Sequence, residues 1–134
     1  DKAIHAAVME QDLGNLDRGL DTLVGSKGVK LSGGQVQRSA AARMFVREPE
    51  LLVFDDLSSA LDVDTERLLW ERLFGRDGEP PTCLVVSHRH TALRRADHII
   101  VLKDGRIEDE GSLAELLVRC EEMQRLWQGD YGKE

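Results

Sequence analysis

The sequence predicts an α/β fold in which a mostly parallel sheet is flanked by helices. Two apolar runs of four residues, within the segments Leu51–Phe54 and Thr82–Ser87, contain no charged residue. Such runs are typical of strands that are buried on both faces of a parallel sheet. Segments with helical spacing come before, between and after these runs, and alternating strands and helices indicate an α/β layer.

The first 48 residues predict helices separated by a loop. A short helix is expected near residues 3–8. Apolar residues then recur at intervals of three to four until two glycines interrupt the pattern, at Leu13, Leu16, Leu20, Gly25 and Gly28. A longer helix is expected from Gly33 to about Arg47, where Pro49 ends it. Its apolar face is formed by Val36, Ala40, Met44, Ala41 and Phe45.

The second half of the chain predicts further helices, a turn and one hairpin. A helix, a surface turn and a short helix are expected in succession, at residues 64–74, 75–81 and 91–96. Two strands joined at Asp104-Gly105 are expected to form a hairpin. Ser112 and Glu115 have the spacing of a capping box, so another helix begins there. The polar tail past Gln128 is expected to fray.

Composition excludes several classes of protein. The 134 residues carry a net charge of −7, with an isoelectric point near 5.1, which disfavours a broad basic surface for nucleic acid. The longest apolar runs have four residues, too short to cross a bilayer, and the start shows no signal-peptide pattern. Two cysteines and four scattered histidines predict neither a disulfide framework nor a metal cluster, which fits a reducing cytosol. The first residue is not methionine, which suggests an excised piece.

Polar residues follow both predicted strands. Asp55 and Asp56 come after the first strand, and Ser87 and His88 come after the second. Ligands of parallel α/β sheets bind beyond the carboxyl ends of the strands. On the functional interpretation, Asp55 holds Mg²⁺ through water, Asp56 orients or deprotonates an attacking water, and His88 donates a hydrogen bond to a γ-phosphate. The alternative is a pair of solvated turn carboxylates and an ordinary loop histidine.

The segment LSGGQ, Leu31–Gln35, places two glycines at the start of the longer helix. Glycines there leave backbone N–H groups uncovered at the positive end of the helix dipole, where an anion can bind. The simpler interpretation is that Ser32 is an N-cap in an ordinary turn.

Five ordered motifs resemble the C-terminal half of an ABC ATPase domain. LSGGQ (Leu31–Gln35) is similar to the signature motif, LLVFDD (Leu51–Asp56) to the Walker B motif, SSALD (Ser58–Asp62) to the D-loop, and His88 to the switch histidine. The segment ADHIIVLKDGRIEDEG is similar to the hairpin that follows. The resemblance implies a P-loop NTPase-like core that lacks its N-terminal part. It assigns residues 1–48 to a remnant of the helical subdomain with the signature helix and residues 49–134 to the core. The segment GLDTLVGSKGVKLSGGQ is similar to those of exporter-like transporter ATPases.

The resemblance also implies partners and cofactors. Two ATPase domains would pair head to tail, each ATP lying between one domain's phosphate loop and the other's signature motif. The residues expected at ATP are Leu31, Ser32, Gly33, Gly34, Gln35 and Asp62. Ser32 and Gly34 would contact the γ-phosphate, Gln35 would lie near the ribose, and Asp62 would cross the dimer interface. Asp55 would hold Mg²⁺, with Asp56 and His88 as catalytic residues. A transmembrane subunit or domain would place the protein at the cytoplasmic face of the cell membrane.

The sequence departs from the family pattern in two places. It contains no G-x-x-x-x-G-K-[ST] phosphate loop, so the chain alone is expected neither to bind ATP tightly nor to hydrolyse it. Asp56 stands where the family usually has glutamate, which predicts slow hydrolysis. Two alternatives remain: a soluble ABC ATPase of repair or translation, and a non-catalytic domain that uses the ABC scaffold for dimerisation or regulation.

Overall fold

The computed structural model describes residues 1–75 and 80–130, which divide into two compact units, Asp1–Val85 and Val86–Glu134. The predicted surface turn at 75–81 and the tail past Gln128 therefore lie partly outside the described residues. Helix is still present up to Asp130. The boundary predicted between residues 48 and 49 remains a prediction about subdomains.

Among the described residues, the first unit contains four helices, two strands and two 3₁₀ turns. In chain order they are α1 (Lys2–Ala6), α2 (Glu10–Gly14), a turn at Gly19–Asp21, α3 (Gly33–Phe45), β1 (Leu51–Asp55), a turn at Leu57–Ala60, α4 (Val63–Phe74) and β2 (Thr82–Val86). Strands β1 and β2 pair in a two-stranded sheet, and α4 connects them along the chain. Helix α1 packs on α3 and α4, so three helices share one core with the sheet.

Aromatic side chains form the centre of this core. Phe45 of α3 meets Phe54 of β1 at 6.3 Å between ring centroids, and Phe54 meets Trp70 of α4 at 5.3 Å, both edge to face. Such pairs stabilise a core by about 1 kcal/mol beyond the area they bury. The inner face of α4 packs into this core, since its members are almost fully buried: Leu69, Trp70 and Leu73.

The prediction that both strands are buried on both faces is wrong. Leu52 and Phe54 of β1 are buried, whereas Val53 between them is 53% exposed. In β2, Leu84 and Val86 are 55% and 57% exposed. Among the described residues the sheet has only two strands, and the alternation of buried and exposed positions shows that one face is covered. Side chains that point to the other face therefore stay in solvent.

The buried face of α3 also differs from the predicted one. Contrary to the prediction, Val36 is 54% exposed and Ala40 is exposed. Ala41 and Phe45 are buried as predicted, and Ala42 is buried with them. Helix α1 packs on α3, and small alanines let the two backbones approach closely. The inner face is consequently rotated toward Ala41 and Ala42.

The second unit is a hairpin covered by helices. Its elements are α5 (His90–Leu93), β3 (Ile99–Lys103), β4 (Arg106–Gly111), α6 (Leu113–Arg119) and α7 (Glu121–Asp130). The strands are antiparallel, with Lys103 opposite Arg106, and Asp104 and Gly105 between them both have positive φ, 50° and 74°. This is the backbone of a tight two-residue hairpin turn, which confirms the predicted Asp104-Gly105 connection. The predicted capping box of Ser112 and Glu115 is present at the start of α6.

A histidine and a tryptophan join α5 to α7. The ring of His90 stacks on the ring of Trp127 with 3.8 Å between centroids, and His90 Nε2 lies 3.0 Å from the backbone oxygen of Trp127. The guanidinium of Arg94 lies over the ring of Trp127, with its Cζ atom 5.4 Å from the ring centroid. Below them, Leu93, Val101, Leu116 and Met123 form the core of the unit. In the described part of the chain, no helix has the length and apolar character needed to span a bilayer.

Candidate functional site

Helix α3 begins with a complete capping box. The Oγ atom of Ser32 accepts the backbone N–H of Gln35 at 3.2 Å, and the Oε1 atom of Gln35 accepts the backbone N–H of Ser32 at 2.8 Å. Ser32 is thereby held in an extended conformation directly before the helix, as the N-cap interpretation predicts. Its hydroxyl proton can still be donated to a ligand, because Oγ serves only as the acceptor in this pair.

The two glycines after Ser32 differ in their surroundings. Gly33 is exposed, and a Cβ atom added there would lie 3.5 Å from the Cβ of Ala60, an ordinary contact. A Cβ on Gly34 would lie only 2.8 Å from the backbone oxygen of Ala60. Within the described residues, no hydrogen bond takes up the backbone N–H of either glycine. The start of α3 therefore presents two backbone donors and one hydroxyl donor beside the turn at Leu57–Ala60.

Gln35 and Arg38 both reach back to Asp12 on α2. Gln35 Nε2 donates to Asp12 Oδ1 at 3.0 Å, while Arg38 donates to Asp12 Oδ2 from Nε at 3.1 Å and from Nη2 at 2.6 Å. Sequence reasoning missed Asp12, because 23 residues separate it from Gln35 and no local pattern marks the contact.

Asp62 is the N-cap of α4. Its Oδ1 accepts the backbone N–H of Thr65 at 2.9 Å, and its Oδ2 accepts the Thr65 hydroxyl at 2.7 Å. The hydroxyl and the N–H of Thr65 hold the pKa of this carboxyl below its usual 3.8, with a smaller contribution from the positive charge of Arg38. The carboxylate is thus ionised and oriented at neutral pH, and its exposed position leaves its remaining lone pairs accessible.

Asp55 and Asp56 lie at the end of β1, as predicted. Asp55 is exposed, and Asp56 has a positive φ of 50°, which turns the chain out of the strand toward the following 3₁₀ turn. Within the described residues, neither carboxylate has a hydrogen bond or an ion pair. Asp55 lines an open cavity of about 210 Å³ together with residues of α3, among them Gln37 and Met44. Pockets that hold organic ligands measure roughly 300–1,000 Å³, so this cavity is too small for a nucleotide.

The carboxylates at the end of β1 fit Mg²⁺ only if water and phosphate oxygens supply its other ligands. No group of three or more His, Cys, Asp and Glu side chains that could hold a metal occurs among residues 1–75 and 80–130. Mg²⁺ commonly takes one or two protein carboxylates and completes its shell with water and phosphate oxygens. Asp55 is exposed, and its carboxylate oxygens are of the hard type that Mg²⁺ prefers.

His88 belongs to the second unit. It is exposed and lies between β2 and α5, where Ser87 Oγ accepts the backbone N–H of Arg89 at 3.1 Å and closes a small turn around it. The first unit brings together the signature segment and the turn that leads to Asp62, as the contact between Gly34 and Ala60 shows. The predicted cooperation of His88 with Asp55 and Asp56 stays a prediction.

Comparisons with known proteins agree on one family. No protein-family profile matches the chain. The ABC-type transporter kk1G of Curvularia clavata is 44% identical over 117 residues, 87% of this chain and 9% of that protein. The uncharacterised ABC transporter ATP-binding protein YwjA of Bacillus subtilis is 38% identical over 132 residues, 98% of this chain and 23% of that protein. The chain thus spans less than a quarter of the length of the curated relatives it matches.

A solved structure leads to the same family. The structure of a bacterial Atm1-family ABC exporter with ATP bound superimposes with a TM-score of 0.88 and 35% sequence identity, over 98% of this chain and 23% of that one. These relatives favour a transporter over a soluble ATPase of repair or translation. With the α/β fold and the ordered motifs already described, the chain belongs to the ATP-binding domains of ABC transporters, of which it forms a C-terminal portion.

Proposed function

We propose that this chain is the rear part of an exporter-like ATP-binding domain, which in the complete protein binds and hydrolyses ATP in a head-to-tail dimer. Hydrolysis would drive a transmembrane partner, so that the domain works at the cytoplasmic face of a membrane. The observation that carries the proposal is the start of α3, where the Ser32 hydroxyl and the backbone N–H groups of Gly33 and Gly34 are available as donors. An anion is the ligand that such a group of donors recognises.

Within that function each candidate residue has a chemical role. The three donors at the start of α3 would hold the γ-phosphate of an ATP bound mainly by a second domain. Asp55 would hold Mg²⁺, which supplies charge neutralisation for the phosphates. Asp56 would orient a water oxygen toward the γ-phosphorus and accept its proton, while the bond from phosphorus to the bridging oxygen breaks and ADP leaves. His88 would donate a hydrogen bond to the γ-phosphate.

Asp56 provides the sharpest test of this assignment. Aspartate is shorter than glutamate by one methylene, roughly 1.5 Å by the length of a C–C bond, and a misplacement of about 1 Å can cost on the order of a hundredfold in rate. We expect Asp56→Glu to raise the turnover number of the complete protein at least about tenfold. Asp56→Asn should abolish turnover and retain ATP binding. Turnover is measured by phosphate release and binding by calorimetry.

One control variant and two outcomes distinguish the alternatives. Asp64→Asn changes an exposed aspartate on α4 that is 90% accessible, and it should leave turnover unchanged. Unchanged turnover in Asp56→Glu would show that the length of the Asp56 side chain does not limit the rate. If the complete protein dimerises with ATP but none of the variants hydrolyses it, the non-catalytic alternative is correct.

A further inference from the structure

A residue outside every motif, Asp12, accepts hydrogen bonds from the first turns of α3. Both oxygens of Asp12 are engaged by α3: Oδ1 accepts from Gln35 at 3.0 Å, and Oδ2 accepts two bonds from Arg38 at 3.1 Å and 2.6 Å. One carboxylate on a five-residue helix therefore holds two side chains in the first turns of α3.

This group is largely removed from water. The side chains of Arg38 and Asp12 are only 13% and 17% exposed. Hydrogen bonds between ionised partners are stronger than neutral ones, and removal of one partner leaves the other charge buried and unpaired. The contact is thus costly to break.

Asp12 also decides which way the carboxamide of Gln35 faces. The carboxamide nitrogen must donate to Asp12, so the carboxamide oxygen is the atom that receives the backbone N–H of Ser32 at 2.8 Å. Without Asp12 the group can rotate by a half turn. Its nitrogen would then face the N–H of Ser32, two donors would oppose each other, and the capping box would be lost.

We propose that Asp12 is a positioning residue for the signature segment. It acts through Gln35 and Arg38 to fix the direction of the Ser32 hydroxyl and of the first N–H groups of α3 toward the γ-phosphate of ATP. This inference rests on the proposed function, and it assigns Gln35 a structural role in addition to the expected one near the ribose. Asp12 itself does not touch the nucleotide.

The test compares Asp12→Asn and Asp12→Ala in the complete protein with a matched control on the same helix. Glu10, two residues away on α2, pairs with Arg72 of α4 at 2.7 Å and makes no hydrogen bond or ion pair to α3 among the described residues, so Glu10→Gln removes an ion pair of the same kind. We measure the ATP turnover number, the affinity for a fluorescent ATP analogue in the undimerised protein, and the thermal midpoint of each variant.

Asp12→Ala is expected to lower the turnover number about tenfold or more. It should leave nucleotide affinity in the undimerised protein within twofold, because the signature segment meets ATP only when two domains close. The turnover number of Asp12→Asn should lie between those of wild type and Asp12→Ala. The carboxamide oxygen of Asn can still accept from Gln35, whereas its nitrogen faces the donors of Arg38. It is nearly isosteric and serves where the alanine variant does not fold. Glu10→Gln should keep turnover within twofold of wild type.

Three results would overturn the inference. Wild-type turnover in Asp12→Asn shows that the contact is dispensable. An equal loss in Glu10→Gln shows that any damage to α2 has the same effect. An equal loss of nucleotide affinity in the undimerised protein shows general unfolding. Absence of turnover in the unmodified protein contradicts the proposed function itself, and this inference falls with it.

Discussion

Gly33 and Gly34 illustrate how two identical neighbours come to have different structural requirements. Position 33 has room for a methyl group, 3.5 Å from the Cβ of Ala60. Position 34 does not, because a Cβ atom there would lie 2.8 Å from a backbone oxygen, which cannot move without the turn that carries it. The second glycine is therefore required by packing within the chain, and the first leaves a donor uncovered for a ligand.

We expect Gly34→Ala to lower the free energy of unfolding by about 1–3 kcal/mol, the usual cost of forcing an extra methyl into a packed contact. Gly33→Ala is the matched control. It should leave stability unchanged or slightly raised, since alanine is the better helix former. Urea unfolding followed by circular dichroism measures both. Equal midpoints would show that the turn at Leu57–Ala60 yields to the added methyl group.

Asp62 makes the stability of α4 sensitive to acid. Its folded-state pKa lies below its ordinary value of 3.8, because Thr65 donates to the ionised form. The stabilisation is therefore fully present above about pH 4 and is lost as the pH falls through the folded-state pKa. Asp62→Ala should lower the free energy of unfolding by about 0.5–2 kcal/mol at neutral pH, as N-cap replacements do.

The difference in unfolding free energy between wild type and Asp62→Ala should shrink as the pH falls from about 4 to 3, because the protonated wild-type carboxyl accepts these bonds more weakly than the ionised one. Denaturant titrations at several pH values measure it. Asp64→Ala, at an exposed position in the same first turn, should give the smaller difference at neutral pH. A constant difference for Asp62→Ala across this range would contradict the linkage.

At the scale of elements, Trp127 holds α7 against the other elements of the second unit. Its ring stacks on His90, lies under Arg94 and packs against the buried core of the hairpin and helices. Because His90 follows His88 by two residues, this contact also fixes the end of the segment that carries the predicted switch histidine.

Trp127→Ala should destabilise the second unit by about 2 kcal/mol or more, given that tryptophan truncation in a full core costs ~3–5 kcal/mol. Trp127→Phe keeps a ring on His90 and should lose less than half as much. Leu126→Ala, whose side chain is 38% exposed, is the neighbouring control and should cost under about 1 kcal/mol. Hydrogen exchange of the β3 and β4 amides reports the change. If Leu126→Ala destabilised the second unit as much as Trp127→Ala, the stacking of Trp127 on His90 would make no specific contribution to stability.

At the scale of the whole molecule, we propose that the chain offers one side of a nucleotide site. The donors at the start of α3 can meet a phosphate, but the sequence has no phosphate loop, and the cavity beside Asp55 holds only about 210 Å³. We expect the 134-residue chain alone to bind ATP no more tightly than about 100 μM, because the backbone N–H groups and lysine of a phosphate loop are missing. Isothermal calorimetry tests this, with inorganic phosphate as the control ligand. Submicromolar affinity for ATP would contradict it.

Local patterns in the sequence predicted most elements correctly. The hairpin turn at Asp104-Gly105, the capping box at Ser112 and the helix that begins at Gly33 each depend on residues within four positions of one another. Relations between distant segments were predicted less well. The inner face of α3 and the half-exposed strands follow from which neighbours pack against them, and periodicity alone contains no information on that point.

The sequence by itself determined the family, the order of the motifs and the positions of candidate residues. Each motif is a short run of adjacent residues, so its chemistry can be inferred without knowledge of the fold. Only the tertiary structure decided that Gly34 must be glycine, that Asp62 caps its helix while it stays accessible, and that Asp12 holds the signature segment. The physical reason is that hydrogen bonds and van der Waals contacts form between atoms that the fold brings within about 3–4 Å. Asp12 and Gln35 are 23 residues apart along the chain, and only the fold brings Asp12 Oδ1 and Gln35 Nε2 to 3.0 Å.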